Sequence, residues 1–239
     1  MSPLKREWLT HGCMRLSDYE EHERPSLKIR AHITEMHQGI PFSVRQWPRL
    51  GFRDTLWWYE KSVEVPCSAA SYVLKVDRRR GPNLYAGISV EKAFEDDEKA
   101  RESAAKARVR FEWQRLDERW DWYRFVSSLP QIETLVRSVA GELGGELYLW
   151  VEFGEEGEVA SQYYVVTGNA LYWRGGFKPV RWSEVAQFVE QPRPRSWGGV
   201  YLVRAFTLDE CSPYLSEWKV VDVLKAMRPI RDTWRGLIP

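Results

Sequence analysis

At 239 residues and a formal net charge of +1, with 44% hydrophobic and 29% charged side chains, the chain has a globular composition and enough apolar material for a sizeable core. The near-neutral balance lacks the strongly basic profile of many nucleic-acid-binding domains, and no run reaches the roughly 18 apolar residues of a membrane span. Three well-separated cysteines, Cys13, Cys67 and Cys211, argue against a disulfide framework, and the charged N-terminus lacks the apolar stretch of a secretory signal, so a cytoplasmic setting is expected.

Residues 1–55 hold prolines at 3, 25, 41 and 48 and all four histidines. They read as an irregular, partly helical segment packed on the core, with 56–239 forming the α+β domain. A helix fits 27–37 and is stopped by Gly39-Ile40-Pro41. It carries HITEMH, in which His37 falls about 140° from His32 around a helix. An HExxH zinc motif needs its histidines four apart on one side, so no metal site is assigned.

From Thr55 to Val65 and from Ser71 to Val76, β-branched and aromatic residues predict strands, and Leu84 to Val90 resumes the pattern after Gly81-Pro82-Asn83. Residues 94–110 have alternating charges at four-residue spacing, the signature of an exposed helix. The aromatic run 113–125 demands burial on at least one side. Ser128 with Gln131 forms a sequence capping box, and Ile132, Leu135, Val136, Val139 and Leu143 make an apolar helical stripe ending at Gly144-Gly145.

Residues 146–153 alternate, with Leu147, Leu149, Val151 and Phe153 on one side and Tyr148 and Trp150 on the other, where a second helical layer is expected. Gly168-Asn169 turns 162–167 back into 170–174. A short helix at 183–190, a strand at 199–206 and a helix at 217–228, stopped before Pro229, complete the chain. The fold class expected is α+β: a mainly antiparallel sheet with helices packed on it, in a single domain.

The functional signals are compositional. Thirteen tryptophans and 25 arginines against 10 lysines suit a contact surface, because guanidinium groups stack on indoles and pair with carboxylates or phosphates. The candidate binding residues are Arg78, Arg79 and Arg80 in the turn, Arg193, Arg195 and Trp197, and Arg231, Trp234 and Arg235 beside Arg228 at the C-terminal end. The expected function is a non-enzymatic binding or complex-subunit protein that contacts a protein partner or nucleic acid, not a membrane, through these Arg/Trp-rich loops. Arginine bias also favours a prokaryotic source.

The alternative is a metal-dependent nuclease. Asp77 and Glu91-Lys92 resemble the acid and acid-x-lysine pair that restriction-type nucleases present on adjacent strands. Glu91 and Lys92 are adjacent, however, so on a strand they point to opposite faces. No cofactor is expected, and Mg2+ enters only with that alternative. No GxGxxG or GxxxxGK[ST] motif is present.

Overall fold

The computed structural model describes residues 4–5, 25–49, 53–61, 70–77, 83–93, 128–144, 147–155, 158–167, 170–176, 178–185, 197–206, 210, 214–215 and 217–237. Strand β1 (Leu4–Lys5) pairs with β11 (Tyr214–Leu215). Helix α1 (Pro25–Met36) is followed by β2 (Phe42–Arg49), β3 (Arg53–Glu60), β4 (Ser71–Asp77) and β5 (Asn83–Ala93). A 3-10 turn (Leu129–Ile132) leads into α2 (Glu133–Leu143). Then come β6 (Leu147–Glu155), β7 (Glu158–Val166), β8 (Leu171–Trp173), β9 (Lys178–Val180), β10 (Trp197–Phe206) and α3 (Glu217–Leu237).

Beside the two-stranded β1-β11 pair, the other nine strands described form a single sheet in the order β2-β3-β4-β5-β10-β6-β7-β8-β9, antiparallel throughout. Two four-stranded meanders are therefore joined by β10, which pairs with the last strand of the first and the first strand of the second. This is the α+β, mainly antiparallel architecture expected.

Alternation along the strands divides the buried residues into two layers. Leu56, Trp58, Tyr72, Leu74, Ile88, Leu149, Val200 and Leu202 face α1, α2 and α3 and join the main core. Val73, Tyr85, Tyr148, Trp150, Tyr163, Tyr201 and Val203 form a second, aromatic cluster on the other face. The helices described thus pack on the Leu149 side, opposite to the side on which a second helical layer was expected.

The aromatic face is concave. The Lys75 ammonium lies 3.8 Å from the ring centres of both Trp150 and Tyr201. By strand order and register, the Cα atoms of Lys75 and Trp150 would be roughly 19 Å apart on a flat sheet, beyond the reach of the two side chains. The sheet therefore curls toward this side, as a strongly twisted sheet can. Gly87 permits that curl: a Cβ there would lie 2.1 Å from the Leu202 carbonyl oxygen and 2.8 Å from Val203 Cα. Only glycine fits so close a backbone approach.

Both margins of the sheet carry a proline, Pro48 in β2 and Pro179 in β9. The Lys61 N–H to Pro41 O bond fixes the odd residues of β2 as those turned toward β3. The Arg174 N–H to Tyr163 O bond does the same for β8, and through it for β9. Both proline nitrogens consequently face away from the sheet.

Three local expectations are corrected. A strand at Phe42–Arg49 occupies part of the segment read as irregular. Ser128 has helical torsions and no capping hydrogen bond from its side chain, because Pro130 starts a tight 3-10 turn there. Helix α3 passes through Pro229 to Leu237 instead of stopping at Arg228. Pro229 sits on the exposed side, and burial of Ile230, Arg231 and Trp234 beyond it offsets the lost backbone bond. The helices expected at 94–110 and the aromatic run 113–125 lie outside the described residues.

Candidate functional site

Arg78, Arg79, Arg80, Arg193 and Arg195 also lie outside the described residues. The KVDRRRGPNLYAGISVEK stretch does form two paired strands, with Asp77 opposite Asn83. Glu91 and Lys92 lie near the far end of β5, opposite Gly199 and Gly198 of β10. Eight residues of strand separate Asn83 from Glu91, roughly 26 Å at the usual rise. Carboxylates that share a divalent ion each approach it to about 2.0–2.6 Å. The register therefore does not bring Asp77 and Glu91 into one metal centre. Among the described residues, no group of three or more His, Cys, Asp or Glu side chains could hold an ion. Trp197 opens β10 opposite Ala93.

The C-terminal candidates are placed differently. Arg231 is 2% exposed and Trp234 is fully buried. Arg231 donates through Nη2 to Glu60 Oε1 at 2.7 Å and through Nε to the Ala70 carbonyl at 3.0 Å. Its Nη1 lies 3.1 Å from Asp232 Oδ1. The exposed Arg235 reaches the other Glu60 oxygen at 2.9 Å. Arg231 and Trp234 are therefore interior groups, Arg231 fastening α3 to the end of β3 and to the residue before β4, and only Arg235 of the three faces solvent.

Next to this cluster the imidazole of His37, 5% exposed, shares a 2.8 Å hydrogen bond with the Tyr72 hydroxyl. Burial, and then the Arg231 guanidinium, push the His37 pKa below its ordinary value. Burial raises that of the Tyr72 phenol. Both groups are held neutral at physiological pH.

The open site lies above that network. A cavity of about 580 Å3 between α1 and α3 is lined by His32, Glu35, Met36, Trp218, Lys225 and Arg228. Trp218 and Lys225, seven residues apart, project from the same side of α3. Trp218 is 44% exposed, and its ring centre is 4.3 Å from that of His32. His32 Nδ1 lies 4.0 Å from Glu35 Oε2. Arg228 donates through Nη1 to the Met36 carbonyl at 2.8 Å, satisfying a carbonyl at the end of α1 and tying the two walls together. The lining sets two cations against one carboxylate.

Sequence reasoning did not single out Trp218. A signal was available: Trp218 lies about 200° around α3 from Val220, on the side opposite the apolar stripe. A tryptophan in that position cannot serve its own helix's core. His32 and Lys225 carry no comparable sign, since their nearness to Trp218 depends on how α1 and α3 pack.

No protein-family model, curated protein or solved structure matches the chain. Among the described residues, no helix is long and apolar enough to cross a membrane.

Proposed function

We propose that this chain is a non-enzymatic binding protein that takes a peptide segment of a protein partner into the α1–α3 groove. The segment would place an apolar side chain against Trp218 and Met36 and carboxylates against Lys225 and Arg228. The observation that carries this reading is Trp218, a large indole left 44% exposed beside two cations at an open cavity. Tryptophan and arginine lead the residues on which protein interfaces depend. The wall that bears them is held by the buried Arg231–Glu60 ion pair, so little ordering is needed on binding. A cytoplasmic, prokaryotic setting belongs to the same reading.

The test is selection of random peptides displayed on phage, with Trp218→Ala protein as the counter-selecting bait. Enriched sequences are expected to combine an aromatic or aliphatic residue with acidic ones. Their affinity should fall at least about tenfold on Trp218→Ala, the scale of an interface hot spot, and again on Lys225→Glu with Arg228→Glu. Peptides that bind wild type and Trp218→Ala alike, or no enrichment at all, would remove the groove as a docking site. Labelled single-stranded RNA and DNA at two salt concentrations form the control arm. Steeply salt-dependent binding that the charge reversals abolish would replace the peptide with a phosphate backbone.

A further inference from the structure

The turn after α1 brings together more titratable groups than a helix end requires. His37 donates its backbone N–H to Ile33 O, and Gln38 and Gly39 then reverse the chain with positive φ of 57° and 89°. This left-handed exit, ordinary for Gly39, is less so for Gln38. It turns the imidazole inward against Phe42 and Tyr72, at ring-centre distances of 5.1 and 5.7 Å. The groups that face it are Arg228, Arg231 and Asp232 from α3, Glu60 from β3 and Tyr72 from β4. Arg231 also covers the rings of Phe42 and Tyr72, at 5.4 and 5.5 Å.

We propose that this turn is an acid-sensitive latch: protonation of His37 frees the end of α1 from the Tyr72–Arg231 cluster and loosens the α1 wall of the groove. An imidazolium there would add a cation beside a guanidinium that is itself buried. Both nearby carboxylates already accept from arginines: Glu60 from Arg231 and Arg235, and Asp232 from Arg228 and Arg231. The incoming charge would have to share a carboxylate or leave the site. Met36, whose carbonyl holds Arg228, is the adjacent residue, so displacement of His37 acts directly on the tie across the groove. α1 packs on α3 and on the marginal strand β2 and can open at lower cost than the central strands.

The direction of the pH effect follows from linkage. The folded-state pKa of His37 lies below the unfolded value of 6.5. The stabilisation is fully present above 6.5 and is lost as pH falls from there toward the folded-state value, because the opened form binds the proton first. The latch rests on the buried network and does not depend on what the groove binds.

Amide hydrogen exchange of the full chain at pH 7.5 and 5.5, corrected for intrinsic rates, tests it. Residues of α1 are expected to lose protection at the lower pH, by up to about tenfold because pH 5.5 lies one unit below the unfolded pKa, while β5 and β10 hold theirs. His37→Gln, which keeps a hydrogen-bonding group without the charge, should flatten the difference. Should that variant not fold, the NMR titration of the His37 ring in wild type decides: a pKa at or above 6.5 overturns the latch. Unchanged α1 protection between the two pH values overturns it as well.

Discussion

Glu60 is a buried carboxylate held between two guanidinium groups, Arg231 inside and Arg235 at the surface. Removing one member of such a set leaves an uncompensated interior charge, which costs more than the intact pair contributes. Glu60→Ala is therefore expected to lower unfolding free energy in urea by about 3–5 kcal/mol. Arg235→Ala, at a solvent-screened position, should cost less than about 1 kcal/mol. Lys75 is the opposite case, a 3%-exposed cation whose partners include two ring faces. Lys75→Met keeps the stem and removes the ammonium, and is expected to be the milder of two substitutions in urea unfolding. Lys75→Glu turns a carboxylate onto the negative faces of Trp150 and Tyr201 and should cost several-fold more. Neither role could be read from the chain. Glu60 meets Arg231 across 171 positions, and Lys75 reaches Trp150 only because the sheet curls. Arg231 and Trp234 were visible as an Arg/Trp grouping, but composition cannot distinguish a guanidinium that greets a partner from one that neutralises an interior acid.

Helix α3 and strand β5 each contain a residue that their element ordinarily rejects. Pro229 removes an i to i−4 bond from the middle of α3, and its exposed position gives no packing in return. Pro229→Ala is expected to raise unfolding free energy by about 1–3 kcal/mol, seen as a higher urea midpoint with an unchanged slope. Gly87 works in the other sense. Its missing Cβ lets β5 and β10 close on each other, and the atoms that a methyl group would strike are backbone. Gly87→Ala should cost more than about 3 kcal/mol or prevent the native sheet from forming. Near-UV circular dichroism of the Tyr/Trp face would report that loss. Elements with strong local patterns were legible: α1 from its breaker, β3 to β5 from their β-branched runs, and β6 to β8 from alternation and the Gly168-Asn169 turn. Strand β2 was hidden because Pro41 and Pro48 read as irregular chain, and their tolerance depends on a place at the sheet margin that no local pattern encodes.

Across the whole molecule, β10 decides whether there is one sheet or two. It arrives more than a hundred residues after β5, and the alternation that marks it as a strand says nothing about its neighbours. The alternation of faces was therefore legible, whereas strand order and the face that the helices cover were not. The two prolines at the margins act at this same scale. An unpaired strand edge is a template for another chain, and a proline nitrogen turned outward can offer it no hydrogen bond. Replacing both, Pro48→Val with Pro179→Val, is expected to produce self-association that grows with concentration in sedimentation velocity, beyond any seen for wild type. Replacement of either one alone should give at most dimers, since only one margin would then be open. Among the described residues, each margin of the nine-stranded sheet thus carries its own break against strand addition, placed in the last strand on either side.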